Sequence, residues 1–228
     1  MRRQFDPALL EMMDRPQPIT PELERDLANI RSLNRWFGSY RLVKFFLRRW
    51  LRPNLRVLDL ATGSGDIPRL VADCARRRGF SVRIDAIDQQ QATIEIARRL
   101  SASYPEITFT RGDLFAWETT EPYDIVLFNL ALHHFAEEDA VRVLRKCREL
   151  AGSAALVSDL RRARWLSCAV WLLTVFVYRE PMTQIDARLS AARAFSFREM
   201  RALAERAGWR GFGHRRFAIG RQAIWNPR

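Results

Sequence analysis

The first 53 residues carry the apolar spacing of helices. Between residues 21 and 33 apolar side chains recur at intervals of three and four, which is the spacing of one helix face. Thr20 precedes a proline, a pairing typical of a helix N-cap followed by the first helical position. Gly38 interrupts the pattern, and a second apolar helix is predicted over 40–51. We therefore expect residues 1–53 to form an N-terminal helical cap.

From residue 55 onward the pattern alternates between strand and helix. Short aliphatic, strand-like runs lie at 55–60, 82–87, 107–110, 124–130 and 154–158, and helical patterns lie between most of them at about 66–78, 91–101 and 137–150. Such alternation predicts βαβ units and a mostly parallel sheet, the α/β, Rossmann-like class. A helix around 196–207 precedes two strand-like pieces, which Gly220-Arg221 separates and which predict an antiparallel hairpin at a sheet edge. Residues 54–228 are therefore expected to form one domain, with an apolar lid or insert at about 160–190.

Composition narrows the class of protein without naming a function. The 228 residues are 48% apolar and 28% charged, which is ordinary for a globular protein. The net charge of +12 comes from scattered arginine pairs, which favour solvated helix faces over a specific nucleic-acid partner. The three cysteines, Cys74, Cys147 and Cys168, are too scattered for a disulfide framework or a zinc site. The N-terminal residues lack the apolar core of a secretory signal, so we expect a cytoplasmic protein, and the oligomeric state is not predicted.

The stretch VLDLATGSGD (57–66) runs a strand directly into a glycine-containing loop. Gly63 and Gly65 permit a sharp turn and a close approach to a ligand, and a helix begins just afterwards. Asp59 and Asp66 flank the loop, however, and would repel a pyrophosphate. The third glycine of a dinucleotide motif and the Gly-Lys-Ser/Thr of a P-loop are both missing. The loop therefore favours a neutral or cationic ligand such as adenosyl methionine and disfavours a nicotinamide-dependent oxidoreductase.

Five segments in order resemble the motifs of class I S-adenosylmethionine-dependent methyltransferases, and especially the quinone-biosynthesis-like branch that acts on small, apolar molecules. The segments are VLDLATGSGD, IDAIDQ, RGDLFAW, YDIVLFNLALHHF and SFREMRALAERAGW, which together cover about 55–225. The resemblance implies the class I methyltransferase fold, with S-adenosyl-L-methionine as cofactor and with Asp88 accepting hydrogen bonds from its ribose hydroxyls. It implies these cofactor-binding residues: Asp59, Ala61, Thr62, Gly63, Gly65, Asp88, Gln89, Asp113, Leu114 and Asn129.

Each acidic candidate also has a plainer interpretation. Asp59 could cap the next helix or orient the loop, and Asp88 could be a turn residue at a strand end. Asp113 follows Gly112, so an Asx-type turn competes with an adenine contact.

His133 and His134 are the catalytic candidates. Adjacent residues at a strand end point to different sides, so at most one of them is expected to face the substrate. We favour His134 as a base that takes a proton from a phenol or enol. The alternative is that both histidines hydrogen-bond to the loop and shape the pocket. No carboxylate cluster for a metal is evident in the sequence, so no metal is predicted, and His214 is interpreted as structural.

The apolar run RWLSCAVWLLTVFVYR (164–179) is expected to select the acceptor. Its uncharged core of 14 residues, 165–178, is shorter than the roughly 20 residues that span a bilayer. We predict a lid helix over the active site, with an interfacial helix in peripheral contact with a membrane as the alternative. Trp171, together with Tyr40 and Phe45, is predicted to line the substrate pocket.

These observations predict a methyltransferase that acts on a hydroxyl or carbon of a small, apolar, aromatic, polyketide- or quinone-like metabolite. Methylation of a nitrogen or of RNA, and a non-catalytic, membrane-peripheral protein with the same fold, remain as alternatives.

Overall fold

The computed structural model describes residues 2–227, in which eight α-helices surround a seven-stranded sheet. The helices are α1 Pro21–Trp36, α2 Ser39–Trp50, α3 Asp66–Arg76, α4 Gln91–Leu100, α5 Glu137–Leu150, α6 Arg164–Phe176, α7 Pro181–Arg193 and α8 Phe197–Arg206. The strands are β1 Leu55–Leu60, β2 Val82–Asp88, β3 Ile107–Arg111, β4 Tyr123–Asn129, β5 Ala151–Leu160, β6 Gly213–Phe217 and β7 Arg221–Pro227. Two 3₁₀ turns, Met12–Asp14 and Leu132–His134, both pack against α7.

The sheet order is β3-β2-β1-β4-β5-β7-β6, with β1 to β5 parallel. β7 runs antiparallel to β5 and to β6, so the predicted hairpin at the sheet edge is confirmed. The chain proceeds outward from β1 in one direction through β2 and β3, then returns to continue from β4 in the other. This reversal between β1 and β4 is the switch point beside which open parallel sheets bind ligands, outside the carboxyl ends of the strands.

The strands at the switch point are buried on both faces. Val57 and Leu58 are adjacent on β1 and fully buried, although their side chains leave the sheet on opposite sides. Helices on both faces explain this, because a parallel sheet must be covered on each side. One apolar cluster packs α5 and α8 against the sheet, and another packs α2 and α3 on the other side.

The N-terminal helices begin and end as the sequence pattern predicts. The Thr20 hydroxyl accepts a hydrogen bond from the Leu23 amide at 3.2 Å, and Pro21 occupies the first helical position. Gly38, at φ 96°, separates α1 from α2. Helix α1 packs against α2 and α7, so the predicted cap is structurally continuous with the insert.

The insert holds two helices where the sequence indicated one apolar run. Helix α7 was missed because its apolar residues follow no helical face and because Glu180, an unusual capping residue, accepts the Thr183 amide at 2.8 Å. Between residues 2 and 227, every helix falls short of the length and apolarity needed to cross a bilayer.

Candidate active site

A cavity of about 420 Å³ opens at the carboxyl ends of β1, β2 and β4. Helices α1, α6 and α7 and the 3₁₀ turn Met12–Asp14 enclose it from the far side. The cavity therefore lies at the switch point, between the parallel sheet and the helical roof.

The loop after β1 forms one wall through backbone geometry. The Thr62 amide donates to the Ile87 carbonyl at 2.9 Å, and the Gly63 amide donates to Asp88 Oδ2 at 2.9 Å. Gly65 has φ 74°, and a Cβ there would lie 2.7 Å from the Phe109 ring. Gly65 does not line the cavity, so it acts on the turn and not on a ligand directly.

Asp59 lies at the base of the cavity. It is buried and accepts a hydrogen bond from the Thr62 hydroxyl at 2.7 Å. Burial raises the pKa of Asp59 to about 7; the Thr62 hydroxyl opposes this rise, whereas the charges of Asp66 and Asp88 add to it. A cation placed nearby would stabilise the ionised form of this carboxyl.

Asp88, at the end of β2, ties two loops together. Its Oδ2 accepts the Gly63 amide, and its Oδ1 accepts the Gln90 amide at 3.0 Å. Burial raises the pKa of Asp88, while these two amides lower it. A carboxylate offers about four acceptor positions, so Asp88 serves as the turn residue and still has capacity for ligand hydroxyls.

The segment after β3 forms the rim. Asp113 Oδ1 accepts the Phe115 amide at 2.9 Å, which is the Asx turn foreseen as its plainer role. Asp113 and Gln89 are exposed and Leu114 is half-buried, and all three line the cavity.

At the end of β4, Asn129 accepts a hydrogen bond from the Ser158 hydroxyl at 2.6 Å. The next residue, Leu130, has φ 55°, and Ala61 at the end of β1 has φ 54°. Ile219, which also lines the cavity, has φ 57°. Residues other than glycine rarely adopt a positive φ, and such backbone strain is concentrated at ligand sites.

The structure brings nearly all the predicted cofactor residues to this cavity. Those that line it are Asp59, Ala61, Thr62, Gly63, Asp88, Gln89, Asp113, Leu114 and Asn129.

The predicted substrate-pocket residues, Tyr40, Phe45 and Trp171, do not line this cavity. Phe45 packs edge-on against Phe46 and Phe217 beneath the terminal hairpin. Tyr40 lies beside Asp66 but does not line the cavity, and Trp171 is 50% exposed on the outer face of α6. The residues of α1 and α6 that do line the cavity are Leu27, Ile30, Leu33, Trp165, Leu166, Ala169, Val170 and Leu173. Helix α6 thus covers the cavity as a lid.

His133 and His134 both face the cavity, contrary to the expectation that at most one would. They lie in the 3₁₀ turn Leu132–His134 and not on an extended strand, so alternation of sides does not apply. Their ring centroids are 4.3 Å apart. His133 Nδ1 lies 2.7 Å from Asp159 Oδ1, and His134 Nδ1 lies 2.5 Å from Asp14 Oδ2.

Glu11 faces both imidazoles from the N-terminal segment. Its carboxylate is 2% exposed, and each oxygen lies 3.8 Å from the Nε2 of one histidine. Asp186 on α7 positions this segment, because its two oxygens accept the Met12 and Met13 amides at 2.8 and 3.0 Å. Sequence reasoning missed Glu11 and Asp14, since about 120 residues separate them from the histidines and no motif marks them.

The carboxylates around His134 change its acid–base character. Burial disfavours the charged imidazolium, but Glu11 and Asp14 outweigh that effect and raise the pKa of His134 to about 10. Without another cation beside it, His134 is protonated at neutral pH and has no free lone pair with which to act as a base.

The cavity is acidic although the chain is strongly basic. The carboxylates that line it are Glu11, Asp14, Asp26, Asp59, Asp66, Asp88, Asp113 and Asp186. Arg221 is the only arginine or lysine that lines the cavity among the described residues. A pyrophosphate would be repelled here, whereas a cationic ligand would be attracted.

Comparison with known proteins agrees with this geometry. The family model described as methyltransferase domain matches residues 57–152. A curated relative, the 2-phytyl-1,4-naphtoquinone methyltransferase of Thermosynechococcus vestitus, is 37% identical over 82 residues. That match covers 35% of this chain and 35% of the relative, so it spans about a third of the relative's length.

Solved methyltransferases share the architecture over nearly the whole chain. A plantazolicin methyltransferase in complex with SAH has a TM-score of 0.67 and 11% identity, covering 91% of this chain and 90% of the other. The magnesium protoporphyrin IX methyltransferase of Synechocystis PCC 6803, with bound SAH, has a TM-score of 0.60 and 16% identity, covering 95% and 91%. At such identities the likeness shows the fold alone. It confirms the class I methyltransferase fold predicted from the sequence, and residues 57–152 match a methyltransferase domain.

Proposed function

We propose that this chain is an S-adenosyl-L-methionine-dependent methyltransferase that transfers a methyl group to a hydroxyl or carbon of a small, apolar, aromatic or quinone-like metabolite. The observation that carries the proposal is the acidic cavity at the switch point, built on a methyltransferase domain. An acidic wall suits the ammonium and sulfonium groups of this cofactor and does not suit a dinucleotide.

The residues present fit the cofactor. Asp88 would accept the ribose hydroxyls, and Asp113 with Leu114 would border the adenine at the rim. Asp59 and Thr62, at the base, would face the charged methionine end next to Gly63. The φ of Gly63 is 55° and nothing lies within 4 Å of where its Cβ would be, so the loop leaves open space toward the cavity.

The acceptor would occupy the apolar half of the same cavity. Leucine, isoleucine and valine side chains from α1 and α6 form this half, and it adjoins the carboxyl end of β4. Apolar walls with a few polar groups are typical of small-molecule sites. The quinone methyltransferase relative supports a flat, apolar acceptor.

The chemistry needs little from the protein beyond alignment. Bound S-adenosyl-L-methionine supplies a methyl group already activated on a sulfonium. The protein's contribution is to hold the acceptor atom in line and to exclude water beneath the α6 lid. The catalytic role predicted for His134 and His133 stays a prediction, and a protonated His134 would orient an acceptor oxygen and would not remove its proton.

Calorimetric titration tests the proposal. The protein is titrated with S-adenosyl-L-methionine, with its demethylated product and with NADH, and we expect binding of the first two alone. Asp88→Ala should weaken that binding by about 1–3 kcal/mol, the cost of losing charge-assisted hydrogen bonds.

Asp124→Ala is the matched control, because Asp124 also accepts a backbone amide, that of Arg56 at 2.9 Å, but at the opposite end of the sheet. Its cofactor affinity should equal that of the parent protein. Binding of NADH in place of both sulfur ligands would refute the cofactor assignment, and unchanged affinity in Asp88→Ala would remove that residue from the site.

A further inference from the structure

The two histidines are arranged as ligands are in a metal site. Each Nδ1 contacts a carboxylate, Asp159 in one case and Asp14 in the other. Such carboxylate–histidine pairs fix the tautomer of a metal-binding imidazole, and a metal ion that binds Nε2 displaces the proton that His134 holds in its absence. Both Nε2 atoms then point toward the same third residue, Glu11.

The distances suit one ion held by three side chains. One ligand atom from each of Glu11, His133 and His134 can be chosen so that all three lie within 4.8 Å of one another. Around a tetrahedral ion with bonds of about 2.0–2.1 Å, ligand atoms lie about 3.4 Å apart. The separations of 3.8 Å between each Nε2 and a Glu11 oxygen are therefore close to those of an occupied site.

Burial and charge also call for a cation at this point. His133 is 3% exposed and lines the cavity, and its Nε2 lies 3.8 Å from a Glu11 oxygen. Glu11, Asp14 and Asp159 place three carboxylates around the two imidazoles, and a cation at the Nε2 atoms would be attracted by all three. The Ser190 hydroxyl, 2.9 Å from Glu11 Oε1, holds that carboxylate in orientation.

We propose that Glu11, His133 and His134 bind one divalent transition-metal ion, with Asp14 and Asp159 orienting the two imidazoles. Two imidazoles and one carboxylate form the donor set that zinc, cobalt(II), iron(II) and manganese(II) accept with positions left open. An open position would face the cavity and take an oxygen of the acceptor. Coordination lowers the pKa of a bound hydroxyl, so its proton would leave to solvent before methyl transfer. This role rests on the function proposed above, whereas binding of the ion does not.

Cobalt(II) titration of untagged, chelator-treated protein tests the site, followed by visible absorption and by competition with zinc. We expect one cobalt(II) per chain, with absorption bands that zinc abolishes. Glu11→Gln and His134→Gln should each weaken binding at least tenfold, and Asp14→Asn by about 10–100-fold, the usual effect of losing a residue that orients a ligand.

His214→Gln is the matched control, because His214 is the remaining histidine of the chain and does not line the cavity. It lies in β6 of the terminal hairpin, where its ring stacks on Phe197 of α8. This variant should bind cobalt(II) as the parent protein does, and thermal melting confirms that each variant is folded. Equal affinity in all variants, or no cobalt(II) absorption in the parent protein, would overturn the site. Titration of the same samples with SAH separates the two proposals. SAH binding without cobalt(II) binding refutes the metal site alone, and cobalt(II) binding without SAH binding supports the metal site and refutes the proposed function.

Discussion

Asp26 joins two of the helices that roof the cavity, and its ionisation should make stability depend on pH. The side chain is fully buried, and its Oδ1 accepts the Thr183 hydroxyl of α7 at 2.6 Å. Its Oδ2 has no hydrogen-bond partner among residues 2–227. Burial, with the charges of Asp186, Glu180 and Glu11 as smaller contributions, raises the pKa of Asp26 to about 7, and the hydrogen bond from the Thr183 hydroxyl opposes this rise.

The direction of the effect follows from proton binding. Because the folded-state pKa lies above the ordinary value of 3.8, the folded protein holds this proton over a range in which the unfolded chain has released it. The contribution of Asp26 is fully present below about pH 4 and is lost as the pH rises through 7. One pKa unit corresponds to about 1.4 kcal/mol, so the loss approaches roughly 4 kcal/mol at alkaline pH.

Asp26→Asn isolates this contribution, since asparagine never ionises and still offers an oxygen to Thr183. At pH 4 we expect the free energies of unfolding of the variant and the parent protein to be similar. At pH 8.5 we expect the variant to be more stable by up to about 4 kcal/mol, or roughly 10 °C in Tm for a chain of this length. Urea unfolding followed by tryptophan fluorescence measures the free energies of unfolding of both proteins at the two pH values. The other buried carboxyls contribute equally to variant and parent, so their contributions cancel in the difference.

Thr183→Val sharpens the test. It removes the hydrogen bond that lowers the pKa of Asp26, so the loss of stability with rising pH should become larger than in the parent protein. A difference between Asp26→Asn and the parent that is the same at both pH values would refute the reasoning.

Two further predictions concern the glycine loop and the outer face of the lid. Gly65→Ala should destabilise the protein by about 1–3 kcal/mol and weaken SAH binding, because φ is 74° and the new Cβ would meet the Phe109 ring. Gly79→Ala is its control in calorimetry and urea unfolding, since φ there is 68° but nothing lies within 4 Å, and equal losses in both variants would exclude the ring contact as the cause. Phe176→Ser, at a side chain 64% exposed on α6, should leave Tm unchanged but reduce flotation with anionic vesicles if this face contacts a membrane. Equal flotation of variant and parent protein would refute that contact.

The half of the cavity that we propose for the cofactor could be predicted from the sequence because its residues are local to strand ends. Asp88 and Asn129 end β2 and β4, and Asp59 is the penultimate residue of β1. The apolar runs of these strands are recognisable in the sequence, and parallel register brings their ends to one edge. Strand order alone then places their side chains together. The helix boundaries nearby followed from equally local signals, such as Thr20 before proline.

The roof could not be predicted in the same way, because contacts between distant segments determine it. Helix α7 has no apolar face of its own, yet Asp186 on it receives the Met12 and Met13 amides and so brings Glu11 to the histidines. The sequence predicts Phe45 and Tyr40 in the substrate pocket because they are aromatic and lie in the N-terminal helices. Helix α2 instead directs Phe45 under the terminal hairpin, and α1 supplies the cavity wall.

The net charge of the chain does not predict the charge of the cavity, because segments distant in sequence also line the cavity. Arginines distributed over solvated faces set the total of +12, whereas the potential inside a cavity depends on the few groups that line it. Four of the eight lining carboxylates, Glu11, Asp14, Asp26 and Asp186, come from segments that carry no cofactor motif. Burial raises the pKa of Asp26 to about 7 and that of Asp186 to about 6, so these two carboxyls hold part of their protons near neutral pH. The charge inside the cavity therefore depends on contacts between distant segments, which neither the net charge nor the motifs reveal.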